Sequence, residues 1–178
     1  MSLLSKTLIN INRRIQGIPR TTVIGILLVG IILSVTACSG QDAPEVRATW
    51  IKPQVTGNSV SIPVNEVKND KIVHFTVAVA LGNEMAFMAY DFDGKLYVRA
   101  NACVPCRSTE FSLKKDTLVC DTCRTVFKAG TGAGVSGVSA CVAYPKAAVP
   151  YEMSGGQLVM KGNDLLVAYQ NTMEPDWP

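Results

Sequence analysis

Five cysteines between positions 103 and 141 constrain this chain more than any other feature of its sequence. Cys103 and Cys106 form one Cys-x-x-Cys pair, Cys120 and Cys123 form a second, and Cys141 closes the segment. Two residues between cysteines allow a tight turn to present both sulfurs to one metal centre. Two such turns complete a four-sulfur site of the kind that zinc and iron–sulfur clusters occupy. We therefore predict that the two pairs ligate a metal, with Cys141 as an alternative ligand or a nearby thiol.

The first 37 residues have the composition of an export signal. An uncharged apolar run covers residues 23–37, and four basic residues but no acidic residue precede Cys38. The run is shorter than the roughly 20 residues that a membrane-spanning helix needs. The sequence Val35-Thr36-Ala37-Cys38 resembles a bacterial lipobox, which implies that Cys38 is lipidated and becomes the mature N-terminus. The alternative is an uncleaved membrane anchor with an incidental cysteine.

Both interpretations of the N-terminus place the rest of the chain outside the cytoplasmic membrane. We expect it on the outer face of that membrane, or in the periplasm or cell envelope of a bacterium with two membranes. The net charge of the chain is +3, but residues 1–37 hold four basic and no acidic residues, which leaves the remainder at −1. A nucleic-acid partner is therefore not expected. Residues 38–58 are polar and irregular with two prolines, which predicts a lipid-anchored linker.

Short apolar segments after the linker predict an all-β domain over residues 59–170, followed by a loose tail over residues 171–178. Residues 60–64 alternate between apolar and polar side chains around a proline, which is typical of an edge strand. Residues 72–80 are rich in β-branched side chains and predict a second strand. His74, the only histidine of the chain, is expected on the half-exposed face of that strand.

Turn residues between apolar segments predict three hairpins. They are centred on Asp93-Gly94, on Lys115-Asp116 and on Gly155-Gly156. Residues 165–169 are predicted to form one more strand, because no segment of ten or more residues after the signal shows an evident helical period. The sequence thus predicts a small barrel or sandwich in which the second hairpin brings the two cysteine pairs together.

The order of these features resembles the Rieske iron–sulfur fold. The shared features are the segment Ser61-Ile62-Pro63-Val64, a hairpin that leads into the first ligand loop, and the run Leu118-Val119-Cys120 with Phe127 beyond it. The resemblance implies a Rieske-like barrel with two cysteine loops. A Rieske centre has a histidine at the second ligand position of each loop, whereas this chain has Cys106 and Cys123 there.

The cysteine pattern itself resembles the FtrD-like family of membrane iron–sulfur proteins. The pattern is Cys-x-x-Cys, then Leu-Val-Cys-x-x-Cys with Phe127 four residues on, then a glycine-rich approach to Cys141, and it spans roughly residues 60–160. Members are often linked to ferrous-iron uptake. The resemblance implies an iron–sulfur cluster, electron transfer and membrane redox or transport proteins as partners. The chain departs from the family at Ser139-Ala140, where paired glycines are usual.

Two other functions are compatible with the cysteines. Zinc binds paired Cys-x-x-Cys turns in structural sites, so the domain could be a zinc-binding assembly module. The sequence Cys103-Val104-Pro105-Cys106 also occurs in thioredoxin-like oxidoreductases, which would make this a thiol–disulfide redox protein. That motif opens a helix in an α/β unit, whereas the sequence around it here predicts strands. Five cysteines besides Cys38 also do not fit a complete set of disulfides.

No catalytic constellation competes with the cysteines in the sequence. The chain has one histidine, offers no Ser/His/Asp set, and has no lysine placed to bind phosphate after the glycines that precede Cys141. We therefore expect an electron carrier at the membrane surface rather than an enzyme in its own right.

Overall fold

The computed structural model describes residues 43–78 and 83–175. Every described residue lies in one compact unit, residues 43–178. The predicted export signal and Cys38 lie outside the described residues.

Thirteen strands and three helices occur in the described part of the chain. The strands are β1 (Val46–Arg47), β2 (Thr49–Trp50), β3 (Gln54–Thr56), β4 (Ser59–Pro63), β5 (Ile72–Ala78), β6 (Glu84–Phe92), β7 (Lys95–Ala100), β8 (Phe111–Lys114), β9 (Thr117–Cys120), β10 (Val126–Lys128), β11 (Gly134–Ser136), β12 (Glu152–Ser154) and β13 (Gln157–Lys161). The helices are α1 (Val64–Asp70), α2 (Ser139–Val142) and α3 (Gly162–Met173). The predicted all-β class is confirmed in that strands form the body of the domain.

The strands form three sheets. One sheet has the order β1-β8-β9-β10-β11, the second β12-β13-β4-β3, and the third β2-β5-β6-β7. All pairings are antiparallel except that of β2 with β5. The five-stranded sheet carries the cysteine loops. Its strands β8 and β9 connect the first cysteine pair to the second, and β10 connects the second pair to the glycine-rich segment.

The three predicted hairpins are confirmed as β6–β7, β8–β9 and β12–β13. Two of them turn through two residues with positive φ, Asp93 (54°) with Gly94 (71°) and Gly155 (57°) with Gly156 (76°). Positive φ at both central positions is the backbone of a type I′ turn, whose twist matches that of the flanking strands. The turn residues read from the sequence therefore fix these hairpins locally.

Two segments predicted as strands are wrong in part, because helices replace them. The strand predicted over residues 60–64 ends at Pro63. The helix α1 begins at the next residue, Val64, and buries Val67 against the core. Residues 165–169 lie in α3, which buries Leu165, Ala168 and Thr172. The spacing of three and four residues between these buried side chains is helical. The pattern is hard to recognise in the sequence, because it covers few residues and exposed apolar side chains lie between them. None of the described helices has the length and apolarity needed to cross a bilayer.

Three further sequence predictions need correction. The expected linker contributes β1, β2 and β3 to the sheets, and the Arg124 guanidinium donates to both carboxylate oxygens of Glu45 at 2.8 and 2.6 Å. The expected loose tail is helical as far as Met173. His74 has no exposed surface, because the parallel partner β2 lays Trp50 against it with ring centroids 5.1 Å apart.

The buried side chains form two clusters. The larger one packs α1 and α3 against β4, β5, β6 and β13. The smaller one lies under the five-stranded sheet and contains Tyr90, Phe111 and Phe127 together with the cysteines 103, 120 and 141. The cysteine site is therefore built into a hydrophobic core, which holds its loops in one conformation.

Candidate metal centre

The five cysteines of the second cluster come from three separate segments of the fold. Cys103 and Cys106 lie in the loop between β7 and β8, while Cys120 ends β9 and Cys123 follows in the turn before β10. Cys141 lies in α2, which returns to the site after the glycine-rich segment. The β8–β9 hairpin places the two Cys-x-x-Cys loops side by side, as the sequence predicted.

The two Cys-x-x-Cys loops share one backbone conformation. The amide of the first cysteine donates to the carbonyl five residues later, Cys103 to Ser108 at 2.8 Å and Cys120 to Thr125 at 2.9 Å. The residue after the second cysteine, Arg107 or Arg124, has φ of 59°. Left-handed backbone is uncommon for a residue with a side chain, so its presence at the same position of both loops indicates that they share one turn geometry and one purpose. That purpose is to point two sulfurs in the same direction.

The sulfurs of all five cysteines lie close together. Cys103 Sγ is 3.8 Å from Cys123 Sγ, and Cys106 Sγ is 3.8 Å from Cys120 Sγ. The sulfurs of Cys103, Cys106, Cys123 and Cys141 lie within 4.8 Å of one another. The structure thus brings together every cysteine that the sequence proposed as a ligand, and it places the Cys141 sulfur within 4.8 Å of those of Cys103, Cys106 and Cys123. The five cysteines are free of disulfides.

The burial of the five cysteines differs across the site. Cys103, Cys120 and Cys141 are buried, with 0%, 0% and 1% of their surface exposed, whereas Cys106 and Cys123 are partly exposed. The second cysteine of each loop therefore faces solvent and the first faces the core. The site has one edge that another molecule can approach.

The pKa values of three of the thiols are shifted from their ordinary value, two upward and one downward. Burial raises the pKa of Cys103 well above its ordinary value, and burial raises that of Cys106 to about 11. Burial also opposes ionisation of Cys123, but hydrogen bonds outweigh it and lower the pKa to about 6. They come from the Thr125 hydroxyl, whose Oγ1 lies 3.1 Å from Cys123 Sγ, from the Thr125 backbone, and from Cys120 and Cys106. Buried thiols that are neutral alone become thiolates when a metal binds.

A buried lysine lies beside the thiols, and sequence reasoning missed it. Lys146 has no exposed surface, and its Nζ donates to the carbonyls of Ala102 at 2.6 Å and Tyr144 at 2.8 Å. The Nζ also lies 4.3 Å from the ring centroid of Phe127 and 5.5 Å from that of Phe111. Burial lowers the pKa of Lys146 to about 8, although the nearby cysteines act in the opposite direction.

A polar network behind Lys146 fixes the glycine-rich segment. The buried guanidinium of Arg99 donates to the carbonyl of Lys146 at 2.8 Å, to that of Gly130 at 2.7 Å and to the hydroxyl of Tyr90 at 2.7 Å. The Tyr90 hydroxyl in turn donates to the carbonyl of Ala129 at 2.6 Å. Gly132 has φ of 77°, and a Cβ there would overlap the Lys146 carbonyl. Gly132 is thus required for a close contact between two backbone segments.

The donor set decides which groups the site can hold. In the part of the chain that the structure describes, no histidine or carboxylate joins the cysteines in a cluster of ligand atoms. Thiolate is the donor that iron–sulfur clusters and zinc accept, whereas calcium, magnesium and manganese prefer oxygen. The residues present therefore fit an iron–sulfur cofactor, and they leave zinc as the chemical alternative.

No curated protein sequence matches the chain. The solved structures that are similar to this chain include the following two. One is titled "Complex of reduced oxygenase and oxidized ferredoxin in carbazole 1,9a-dioxygenase" (17% identity, 60% of this chain and 95% of that chain, TM-score 0.48). The other is a ferredoxin of Sphingomonas yanoikuyae B1 (21% identity, 48% of this chain and 83% of that chain, TM-score 0.36).

At these TM-scores neither structural likeness carries weight for function. The profile of a sequence family described as "Membrane iron-sulfur containing protein FtrD-like" matches residues 50–171, which is more than half of the chain. That range contains all five cysteines of the site. It also begins inside the stretch that the sequence had assigned to a linker. The chain is an iron–sulfur protein and belongs to the FtrD-like family of membrane iron–sulfur containing proteins.

Proposed function

We propose that this protein is an electron carrier whose iron–sulfur centre is held by the cysteines of the two loops and α2. The observation that carries the proposal is the convergence of five thiol sulfurs, with no other kind of donor among the described residues, in a member of an iron–sulfur family. When bound, an iron–sulfur cluster takes up and releases one electron at a time. The chain supplies the ligands, the surrounding electrostatics and the route to the surface.

The burial of the site supports transfer rather than catalysis. Cys103, Cys120 and Cys141 are enclosed by the core, which excludes water from that side. Cys106 and Cys123 lie at the partly exposed edge, so electrons would enter and leave there. The histidine of the chain is buried against Trp50 and Glu110 instead. No constellation for acid–base or nucleophilic catalysis competes with the cysteines among the described residues.

We also propose where this carrier is located and which proteins are its partners. The lipobox-like sequence that ends at Cys38 supports export and lipid anchoring, and the family description supports a membrane context. We infer that the partners are membrane redox or transport proteins, including systems for iron uptake. A test is to compare the wild-type protein with Cys38→Ser in membrane and soluble fractions. Wild-type protein at the membrane and the variant in the soluble fraction would agree with the anchor, and wild-type protein in the soluble fraction would exclude it.

Structural zinc is the second candidate, and the sulfur spacing favours it. Four sulfurs about 2.3 Å from one tetrahedral ion lie roughly 3.8 Å apart, which is the separation of both Cys103 from Cys123 and Cys106 from Cys120. The fifth sulfur is the observation that one zinc ion does not explain, because a structural zinc site takes four protein ligands. Metal content of the purified protein separates the two candidates.

The ligand set is tested by replacing one cysteine at a time. We propose that the two loop pairs provide the four ligands and that Cys141 is an alternative ligand or a nearby thiol. Cys120→Ser and Cys123→Ser should then abolish the visible chromophore and lower stability together, while Cys141→Ser has a milder effect. Iron per protein and visible absorption are measured for each variant.

The distances make Cys120 and Cys141 the informative comparison. Cys141 belongs to the group of four sulfurs that lie within 4.8 Å of one another, and Cys120 approaches that group through Cys106. Complete loss of iron in Cys141→Ser with iron retained in Cys120→Ser would contradict the pair assignment and make Cys141 the fourth ligand. Val142→Ala in the same helix serves as the control for damage to α2.

A further inference from the structure

Lys146 is a buried cation whose compensating charge must come from the cysteine site. In the described ranges 43–78 and 83–175, the ion pairs do not include Lys146. Its ammonium group is satisfied by two carbonyls and two aromatic faces. Carbonyls and rings stabilise a cation, but they carry no net charge. Burial of an uncompensated charge is strongly unfavourable, so a buried lysine is expected to have an anion nearby.

The contacts of Lys146 lead directly to the ligand loops. Ala102, whose carbonyl accepts from Nζ, immediately precedes Cys103. Phe111, whose ring faces Nζ, is the cross-strand partner of Cys120. The cysteines at positions 103, 106, 120 and 141 all act electrostatically on Lys146. One ammonium group is thus placed against both loops and α2 at once.

Arg99 adds a second buried positive charge behind the first. It is 4% exposed, donates to the carbonyl of Lys146, and is also absent from the ion pairs of the described residues. The core side of the site is therefore cationic, while the thiolates that hold a metal are anionic. This arrangement favours a site that carries excess negative charge, and most of all one that becomes more negative when it is reduced.

We propose that Lys146 is the built-in counter-cation of the thiolate site and raises the reduction potential of the bound cofactor. The inference rests on the proposed electron-transfer function and assigns a tuning role to a residue outside the cysteine pattern. One electron enters from a redox partner and leaves to an acceptor, and Lys146 keeps its proton throughout. Its positive charge stabilises the reduced site more than the oxidised one, because the reduced site carries one more negative charge.

The test compares reduction potentials of the full-length protein with its cofactor bound. Lys146→Met removes the charge and keeps an unbranched side chain, and Lys146→Gln removes the charge but keeps a hydrogen-bond donor. Lys128→Met is the matched control, since Lys128 is an exposed lysine one residue beyond Phe127 in β10. Potentials are read from the visible spectrum during a redox titration.

We expect both neutral variants at position 146 to shift the potential to more negative values, while Lys128→Met stays at the wild-type value. Lys146→Arg should stay nearer the wild type than either neutral variant. Neutral variants that keep the cofactor at the wild-type potential would overturn the inference. Folded neutral variants that lose the cofactor while Lys146→Arg retains it would support the charge requirement. Loss of the cofactor in all three variants would show that Lys146 contributes through packing rather than through its charge, and it would overturn the inference as well.

Failure of the underlying function gives a different result in the same experiment. A wild-type protein that shows no redox-active chromophore contradicts electron transfer itself. A wild-type protein that titrates normally, with unchanged variants at position 146, contradicts only the role of Lys146.

Discussion

Replacing Tyr90 by phenylalanine tests whether the network behind the metal centre holds the site together. The Tyr90 hydroxyl is fully buried, accepts from Arg99 Nε at 2.7 Å and donates to the Ala129 carbonyl at 2.6 Å. The substitution removes one oxygen and keeps the ring, so the stacking on Tyr97 at a centroid distance of 5.4 Å remains. Any loss of stability then measures the two hydrogen bonds.

The magnitude follows from what the variant leaves unsatisfied. A buried carbonyl that loses its partner costs about 1–3 kcal/mol, and a charged donor costs more. Arg99 keeps its bonds to the carbonyls of Lys146 and Gly130, which limits its share. We therefore expect Tyr90→Phe to lower the free energy of unfolding by about 3 kcal/mol. Since domains of this size are stable by only about 5–15 kcal/mol, the effect is large.

Urea denaturation of the metal-free protein under reducing conditions, followed by circular dichroism, measures this loss. Tyr97→Phe is the matched control, because the Tyr97 hydroxyl makes no hydrogen bond to any residue that the structure describes, and we expect a change within about 0.5 kcal/mol. A Tyr90→Phe variant as stable as its Tyr97→Phe control would refute the idea that the network stabilises the site.

Three further predictions follow from single positions. Gly132→Ala should destabilise the protein by at least about 1–2 kcal/mol in thermal unfolding, because φ is 77° and the new Cβ overlaps a backbone carbonyl; an equally stable variant would contradict this. Burial lowers the pKa of His74 to about 4, below the unfolded value of about 6.5, so only the unfolded state gains a proton as pH falls. The metal-free protein should then lose about 2 kcal/mol between pH 7 and pH 5 in urea denaturation, and His74→Phe should abolish most of that loss; an equal loss in both proteins would exclude His74 as its source. Thr125→Val removes the hydroxyl that contributes most to lowering the pKa of Cys123, so alkylation of Cys123 in metal-free protein should reach half its maximal rate at a higher pH than in wild type; an unchanged pH profile would assign the low pKa to the other groups around Cys123.

Local signals in the sequence were sufficient for the hairpins and for the candidate ligands. Asp93-Gly94 and Gly155-Gly156 adopt positive φ at both positions, so their turns depend on residue type and little else. The Cys-x-x-Cys spacing likewise determines which sulfurs share a turn. These features need no knowledge of distant parts of the chain.

Long-range packing explains what the sequence did not reveal. His74 is buried because Trp50, from a stretch expected to be a linker, pairs with it in a parallel bridge. Lys146 follows a proline in a segment without a pattern, and only its position against Phe111 and Phe127 gives it a role. The helix over residues 162–173 buries three side chains at helical spacing, but its exposed Leu166 and Val167 obscure that period.

The identity of the bound metal tests the central claim most directly. The full-length protein is purified without oxygen, and its iron, acid-labile sulfide and zinc are measured together with the visible spectrum before and after reduction. Our account predicts stoichiometric iron and sulfide with absorption in the region of roughly 400 nm that bleaches on reduction. Stoichiometric zinc in a colourless protein would contradict it and would make the five cysteines a structural site.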